Sequence, residues 1–414
     1  MKVLTINTND SMGGAARAAY NNFRGLKNIG VESKMFVARK TTNDFDVIAS
    51  ENKFRKFISL IAPHVDGLPN KYHKSENENL HSPAWFSSTS KKNIEEMNPD
   101  LIHIHWVQGG FLSVKLISEL SKPIVWTLHD MWPFSGAEHY VNGTERYISG
   151  YHKNNKPEKD MGFDLNKWVW NRKKKLFRKL KNLTLVAPSA WMARCAKDSY
   201  IFKDQRVEII PVGLNHNLYC PRNKNMVREI LKISKEKKII LIGALDFHKD
   251  KRKGGHFLKE SFKSLKKINS KNDIEIYILG TSEPKEKIDF GFKTNYYGSN
   301  RDDLSLALLY SAVDLFVAPS IEENFAATVF ESLSCGIPAV AFDIGGMPDM
   351  IDHKNNGYLA KPFDVNDLAQ GINWVLFDSN YNKLSKNARD FILRECTLEI
   401  QAKRYKSIYD SMIK

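Results

Sequence analysis

The chain has 414 residues, of which 42% are hydrophobic and 26% charged, a balance typical of globular proteins and unlike that of disordered or fibrous chains. This length exceeds one typical core, so we expect two domains of roughly 100–200 residues each. Four cysteines are scattered without paired spacing, which argues against a disulfide framework or a zinc site. No apolar run approaches the roughly 20 residues of a spanning helix.

The net charge of +15 comes from 62 basic and 47 acidic residues, which would attract nucleic acid, anionic membranes or phosphorylated ligands. No zinc-finger, aromatic-platform or helix-turn-helix pattern accompanies the charge, and this argues against nucleic acid. The first residues, MKVLTINTND, turn polar at once and lack the apolar core of a signal peptide. We therefore expect a reducing, cytoplasmic setting.

Short apolar runs alternate with helical patterns, which predicts an α/β fold with parallel sheets covered by helices. The strands predicted for a first domain are Val3–Asn7, Lys34–Ala38, Leu101–His105, Ile124–Leu128, Leu183–Ala187 and Val207–Pro211. Those predicted for a second domain are Ile239–Gly243, Ile274–Gly280, Leu315–Ala318 and Ala339–Phe342. A polar linker at 212–223 separates them, which predicts domains at 1–213 and 214–382 and terminal helices at 383–414.

Gly13 and Gly14 follow the first strand and open an Ala-rich helix. Glycine at such a position lets a ligand approach the backbone at a helix start. The spaced glycines of a dinucleotide fingerprint are missing, and a simple tight turn explains the pair equally well. Asp44 and Asp46 flank Phe45 in a polar loop, which we interpret as a coincidental spacing, and we predict no catalytic metal.

Two long polar segments, 48–89 and 139–167, have no clear strand pattern, although the first contains the amphipathic stretch FRKFISLIA. Loops of this length in compact domains are usually functional or disordered.

Three histidines lie near the ends of predicted strands. His103 and His105 are two apart on one strand and therefore share a face, but no third ligand has metal-site spacing. His129 follows the strand that ends at Leu128, and strand carboxyl ends are where open α/β sheets bind ligands. The alternative for each is a buried, hydrogen-bonded core histidine.

The segment from Lys167 to Lys181 contains eight Lys or Arg residues and no acid, with apolar residues at helical spacing. One interpretation is a basic amphipathic helix lying on anionic lipid. The other is a helix whose apolar stripe (Trp168, Val169, Leu176, Leu180) packs on its own domain. Both hold if the helix packs by its stripe and presents its basic flank to lipid.

Arg252 and Lys253 follow the first strand of the second domain. A departing diphosphate needs positive charge, because negative charge builds on its oxygens. A basic surface loop is the alternative, and it suits Lys249 and Lys251 better than Lys253.

The segment from Pro319 to Gly346 is the most informative. Glu323 lies in a turn after an apolar strand, and Glu331 lies on a helix that we expect to start near Ala326 or Ala327 and end at Gly336. A strand, a turn and a helix N-terminus favour a phosphate. Carboxylates beside it suit the hydroxyls of a ribose and a sugar, so the segment predicts a nucleotide-sugar site.

Pro-Ser after a strand, then Glu-Asn-Phe, Gly-Ile-Pro and Gly345-Gly346, resembles the signature of retaining glycosyltransferase family 4. The resemblance implies the GT-B fold, with two facing Rossmann-like domains and a C-terminal helix crossing back to the first. The flanking segments DLIHIHW and TLHDMWPFSGAEHY resemble the bacterial exopolysaccharide branch of colanic-acid type. Many relatives of that branch carry a cysteine cluster where this chain has Glu138-His139-Tyr140.

The resemblance also implies residue roles. Glu323 would contact the transferred sugar, Glu331 the ribose and Lys253 the diphosphate. His129 would lie over the sugar, and Gly13-Gly14 near the donor phosphates and acceptor. The further donor-binding residues expected are Ser299, Asn300, Phe325, Ala326 and Ala327. The family's arginine position corresponds to Ala244, and we suggest Arg252 as its substitute.

The function implied is a metal-independent, retaining transfer of a sugar from a UDP- or GDP-linked donor, without a further cofactor. The acceptor would be a lipid-linked glycan, with the enzyme peripheral on the inner face of the cell membrane. The alternative is a non-catalytic GT-B subunit that binds glycan or acts as a chaperone for a partner transferase. An epimerase or phosphorylase on the same fold is a second alternative, and it would not need a lipid-facing basic helix.

Overall fold

The computed structural model describes residues 1–50, 52–243, 250–269, 273–284, 288–298 and 302–413. The chain divides into two compact units. Unit 1 comprises Met1–Gly213 and Leu398–Lys414, and unit 2 comprises Leu214–Thr397.

Unit 1 is an α/β unit whose strands are short and mostly buried. Its strands are β1 (Lys2–Asn9), β2 (Glu32–Arg39), β3 (Val47–Ile48), β4 (His73–Lys74), β5 (Leu101–Ile104), β6 (Ile124–Thr127), β7 (Met161–Gly162), β8 (Leu183–Ala187) and β9 (Arg206–Ile209). Its helices before the linker are α1 (Gly14–Asn28), α2 (Lys53–Asp66), α3 (Lys91–Glu95), α4 (Val114–Glu119), α5 (Arg146–Ser149), α6 (Leu165–Phe177) and α7 (Ala190–Asp198).

Seven of these strands form one parallel sheet in the order β3-β2-β1-β5-β6-β8-β9, while β4 and β7 form a small antiparallel pair. Central strands such as Leu101–Ile104 are buried along their whole length. Their continuous apolar runs follow from burial on both faces of a parallel sheet.

Unit 2 repeats the alternation of strand and helix. Its strands are β10 (Lys238–Gly243), β11 (Ile274–Leu279), β12 (Lys293–Tyr296), β13 (Leu315–Ala318), β14 (Ala339–Phe342) and β15 (Gly357–Ala360). Its helices are α8 (Lys224–Leu231), α9 (Gly255–Ile268), α10 (Asp303–Ala312), α11 (Ala327–Ser334), α12 (Val365–Asn373) and α13 (Tyr381–Glu395). The sheet is parallel, in the order β12-β11-β10-β13-β14-β15.

The last helix, α14 (Leu398–Ile413), belongs to unit 1, where it contacts α1. The hydroxyl of Tyr405 hydrogen-bonds Thr127 Oγ1 at 2.7 Å, and that of Tyr409 hydrogen-bonds His103 Nδ1 at 2.7 Å. This confirms the predicted return of a C-terminal helix to the first unit. The prediction grouped residues 383–414 together, whereas α13 lies in unit 2 and contacts α11.

The two segments that looked like loops contain regular structure. Segment 48–89 contains α2 and β4, and segment 139–167 contains α5 and β7. Within the second segment, Arg146 pairs with Asp164 at 2.7 Å and lies over the ring of Tyr151 at 4.5 Å. Charged and aromatic contacts order this polar stretch, which is why its sequence shows no apolar periodicity.

The basic helix α6 packs its apolar stripe inside unit 1. Val169 and Trp170 are buried, and Lys173 is also buried, with its ammonium over the Trp132 ring and donating to the Gly136 carbonyl at 2.6 Å. The interpretation that the stripe packs on its own domain is therefore confirmed for this helix. Among the described residues, no helix is both long and apolar enough to cross a membrane.

Replacing Tyr409 with Phe should lower the free energy of unfolding by about 1–3 kcal/mol, because it leaves buried His103 Nδ1 without this partner. Urea unfolding measures the change. Ser407→Ala, on the exposed face of α14, is the control and should change the stability by less than about 0.5 kcal/mol. An equal effect of the two substitutions would contradict this account of how α14 docks.

Candidate active site

The candidate site lies where the strand order of unit 2 reverses. β10 and β13 are neighbours, but the chain leaves β10 toward β11 on one side and leaves β13 toward β14 on the other. A crevice forms outside the carboxyl ends of strands at such a switch point, and open α/β sheets bind ligands there. A small cavity at this edge is lined by Ile242, Gly243, Lys253, Ala318, Pro319, Ser320, Glu323, Ala326 and Thr328.

A buried carboxylate and two cations meet at this edge. Lys253 Nζ donates to Glu323 Oε2 at 2.6 Å, and Arg252 Nη1 approaches the same oxygen at 3.3 Å. The Glu323 side chain is only 8% exposed. Burial alone would raise its pKa, but Lys253, Arg252 and the Asn324 amide outweigh burial and lower the pKa of Glu323 to about 2. Glu323 is therefore ionised at neutral pH.

Arg252 also joins the two loops that form the site. Its Nη1 donates to the Glu322 carbonyl at 3.0 Å, and its own carbonyl accepts from the Ile321 amide at 2.8 Å. Asp250 holds the other side of the guanidinium, with Oδ2 at 3.3 Å from Nη2. The loop after β10 is thus fixed against the loop after β13.

Two glycines permit this close approach of backbones. Gly254 has a φ of +69°, and a Cβ added there would overlap the carbonyl oxygen of Pro319. Gly345 has a φ of +54°, and a Cβ there would overlap the carbonyl oxygen of Glu323. The Gly346 amide donates to that same oxygen at 2.9 Å. A side chain at Gly345 would displace the backbone of Glu323, and one at Gly254 would displace that of Pro319.

Helix α11 starts beside the ion cluster. It begins after Ala326, has no side-chain cap and has no acidic residue in its first turn. The positive end of the helix dipole is therefore not neutralised by a carboxylate within the helix itself. The ring of Phe325, before the helix, lies 5.3 Å from that of Phe330. Glu331, one turn further along, is buried and accepts from the Tyr310 hydroxyl at 2.9 Å.

The structure therefore brings together Lys253, Arg252, Glu323 and the turn Phe325–Ala327, and places Glu331 on the adjoining helix. Three other positions singled out from the sequence, Ser299, Asn300 and Ala244, lie outside the described residues.

In unit 1, the other candidates also follow strand ends. Gly13 and Gly14 come after β1 and open α1, and no atom lies within 4 Å of a Cβ added at either glycine. His129 follows β6 and is half-buried. Asp44 and Asp46, which mimic a metal motif, are engaged by cations of α1, namely Arg24 at 3.1 Å and Lys27. The described residues hold no group of three metal-ligating side chains.

A chain of histidines leads inward from His129, and the sequence showed only part of it. His129 Nε2 lies 2.9 Å from His105 Nδ1, the His105 ring lies 4.1 Å from that of His103, and His103 Nε2 lies 2.8 Å from Thr127 Oγ1. Burial lowers the pKa of His103 to about 3 and that of His129 to about 4, and places the pKa of His105 well below its usual value. All three are neutral at pH 7.

A second buried relay was missed altogether. His139 Nδ1 lies 2.6 Å from Asp130 Oδ2, and His139 Nε2 lies 2.9 Å from Ser82 Oγ. This connectivity matches a Ser-His-Asp triad, but all three residues are buried, and the His139 ring lies near those of Trp106 and Trp132. We interpret the relay as a structural link that joins the loops containing Ser82 and Asp130.

Two family models match the chain. The model described as Glycosyltransferase Family 4 matches residues 12–218, and the one described as Glycosyl transferases group 1 matches residues 223–391. The second match contains Lys253, Glu323 and Glu331.

Curated relatives share low identity with the chain. N-acetyl-alpha-D-glucosaminyl L-malate synthase of Bacillus anthracis is 23% identical over 77% of this chain and 76% of its own length. N,N'-diacetylbacillosaminyl-diphospho-undecaprenol alpha-1,3-N-acetylgalactosaminyltransferase of Campylobacter jejuni is 27% identical over 51% of this chain and 56% of its own length.

The fold has solved counterparts. HepE of Anabaena, crystallised with UDP-glucose, superposes with a TM-score of 0.63 at 15% identity, covering 99% of this chain and 100% of that one. This likeness, together with the two parallel α/β sheets and the returning α14, confirms the predicted GT-B fold.

The buried histidines predict how stability depends on pH. The pKa values of these histidines are lower in the folded protein than in the unfolded chain, where they are about 6.5. Unfolding at a pH below about 6.5 is therefore accompanied by proton uptake. The stability that these histidines contribute is therefore fully present above about pH 6.5 and is lost as the pH falls toward their folded pKa values of about 3 to 4. Each histidine adds a slope of up to about 1.4 kcal/mol per pH unit.

Melting temperatures measured between pH 7 and pH 5 report this slope. His103→Gln should flatten it, whereas His64→Gln, at an exposed position of α2, should leave it unchanged. A slope in His103→Gln equal to that of the wild type would show that His103 does not contribute to it.

Proposed function

Because the chain belongs to glycosyltransferase family 4, we propose that it transfers a sugar from a nucleotide-diphosphate sugar to a lipid-linked glycan in cell-surface polysaccharide synthesis. The observation that carries this proposal is the meeting of Lys253, Arg252 and Glu323 at the switch point of unit 2, beside the N-terminus of α11. That edge combines cations for a diphosphate with a carboxylate for sugar hydroxyls.

Each group has a task in the proposed reaction. Lys253, Arg252 and the first turn of α11 stabilise the charge that develops on the departing diphosphate. Glu323 is ionised and accepts hydrogen bonds from hydroxyls of the transferred sugar. Glu331, held by Tyr310, accepts from the ribose hydroxyls. Arg252 takes the place of the arginine that family members carry at the position of Ala244.

The reaction proposed is a same-face displacement with retention, as the family is described as retaining. The bond between the anomeric carbon and the diphosphate oxygen breaks, and a bond from the acceptor oxygen forms on the same face. The acceptor proton passes to the donor phosphate oxygen, so no protein carboxylate becomes glycosylated and no metal is required. Neutral His129 and the Gly13-Gly14 turn act on the sugar and acceptor side.

Relatives support the substrate classes. The HepE structure contains UDP-glucose, which favours a UDP-linked donor over a GDP-linked one. The Campylobacter relative carries diphospho-undecaprenol in its name, which favours a polyprenyl-diphosphate acceptor. We accordingly propose a cytoplasmic enzyme, peripheral on the inner face of the membrane, in the exopolysaccharide branch that DLIHIHW and TLHDMWPFSGAEHY resemble.

Nucleotide binding is the test of the donor site. Melting temperature is measured with UDP, GDP, ADP and CMP, each with magnesium and with EDTA. UDP at about 100 times its dissociation constant should stabilise the fold by about 2.7 kcal/mol, and EDTA should not change this. Glu331→Gln should lose the shift, because an amide in place of the carboxylate weakens hydrogen bonding to the ribose.

The matched control is Glu260→Gln, which changes an exposed glutamate of α9 in the same unit and should keep the full shift. No shift with any nucleotide would reject the enzyme and favour the non-catalytic subunit. A shift that persists in Glu331→Gln would reject the role given to Glu331.

A further inference from the structure

Helix α2 exposes a row of large apolar side chains. Phe54 is 70% exposed, Phe57 57%, Leu60 63% and Ile61 36%. The last three lie three, six and seven residues after Phe54, which places all four on one face of the helix. Large apolar side chains that cluster on a surface usually mark an interaction site.

The opposite face of α2 is fixed to unit 1, so the apolar row has a definite outward direction. Asp66 is buried and accepts from the backbone amides of Ala84, Trp85 and Phe86 at 2.9–3.2 Å. Ala62 is buried against Gly110 so closely that a Cβ on that glycine would lie 2.6 Å from the Ala62 carbonyl oxygen. Rotation of the helix to hide its aromatic residues would break these contacts.

The exposed charged side chains of α2 itself are all positive. Lys53, Arg55 and Lys56 are exposed in the first turn and a half of α2. The helix contains one acidic residue, Asp66, and it is buried in the contacts just described. The exposed surface of α2 therefore combines apolar side chains with cations, which complements the headgroups and acyl boundary of an anionic bilayer.

Exposed apolar and basic side chains also occur just past the end of the helix. Leu68 and Tyr72 are exposed on the helical turn Leu68–Tyr72 that follows α2, and Lys71 and Lys74 are exposed beside them. Large apolar side chains and cations are therefore exposed on two consecutive elements. Helix α6 differs, because most of its apolar side chains are buried in unit 1 and the others, Trp168 and Leu176, are partly buried.

We propose that the α2 surface, defined as Lys53–Ile61 together with Leu68–Tyr72, binds the surface of an anionic phospholipid bilayer. The aromatic and aliphatic side chains enter the boundary between headgroups and acyl chains, and the three cations bind phosphate groups. The proposal rests on the proposed function, because a lipid-linked acceptor lies in a membrane. It assigns the contact to α2 and not to α6.

Vesicle sedimentation of the full chain tests the proposal. The probes are vesicles of equal parts phosphatidylglycerol and phosphatidylcholine, and vesicles of phosphatidylcholine alone. We expect the wild type to sediment with the anionic vesicles and to be released when ionic strength rises from about 0.1 M to about 1 M, because the screening length falls from about 10 Å to 3 Å. Binding to phosphatidylcholine alone should be weaker.

Two variants separate the components of the surface. Replacing Lys53, Arg55 and Lys56 with Gln should lower partitioning about 100-fold, since each cation contributes about fivefold near an anionic surface. Replacing Phe54 and Phe57 with Ser should lower it at least about tenfold. The matched control replaces Lys175, Arg178 and Lys179, exposed on or just after α6, with Gln, and should keep most of the binding.

Each variant is also assayed for its melting temperature and for its shift with UDP, which these substitutions should leave unchanged. This separates the two claims. If UDP does not shift the melting temperature of the wild type, the proposed donor site is rejected. If a variant of α2 keeps the UDP shift but sediments less with vesicles, the result concerns the α2 surface alone. Failure of the wild type to sediment would overturn the inference, as would equal losses in the α2 and α6 charge variants. A dimer seen by light scattering and abolished by Phe54→Ser with Phe57→Ser, with vesicle binding unchanged, would show that the surface joins two copies.

Discussion

The ion pair between Lys253 and Glu323 is the interaction on which the candidate site depends. A buried carboxylate is costly unless it is paired and hydrogen-bonded, and here one lysine and one arginine meet it at 2.6 and 3.3 Å. The cations come from the loop after β10, and the carboxylate comes from the loop after β13. The pair therefore holds together two loops that leave neighbouring strands in opposite directions.

The backbone around Glu323 is arranged to keep this pair in place. Three chain segments meet there, and Gly254 and Gly345 allow contacts that any side chain would block. The same arrangement leaves the uncapped end of α11 beside the cations. Two cations are thus concentrated at one edge of the sheet, where Glu323 pairs with both and Asp250 pairs with Arg252. We infer that donor binding replaces part of this internal pairing, with Lys253 turning toward the diphosphate and Glu323 toward the sugar.

Much of the fold could be predicted from the sequence, because central strands of parallel sheets carry continuous apolar runs. Each strand predicted this way is present. The strands missed in the two main sheets, β3, β12 and β15, are edge strands, which are short and, as in KTNY of β12, only partly buried. Edge positions do not demand an apolar run. Helix α11 starts at Ala327, one of the two predicted positions, and its last residue, Ser334, lies two residues before the predicted end at Gly336.

The contacts of individual side chains could not be predicted in the same way. Helical spacing of apolar and basic residues is similar in α2 and α6, and periodicity does not tell which face a neighbouring element covers. Only the structure shows that Trp170 is buried while Phe54 and Phe57 are exposed. The link from Asp130 through His139 to Ser82 joins residues 57 positions apart in the chain, and no local spacing signals it.

The most direct test of the account is calorimetric titration of UDP into the wild type and Glu323→Gln, together with sugar transfer by each. If Glu323 neutralises the cations that hold the diphosphate, the Glu323→Gln variant should bind UDP at least about threefold more tightly than the wild type and should lose sugar transfer. The reason is that opposite charges at this distance attract by several kcal/mol at an effective dielectric constant near 20, so removing the carboxylate frees the cations for the diphosphate. Weaker UDP binding by Glu323→Gln would contradict the account, since it would show that the carboxylate is not a competitor of the phosphate for Lys253.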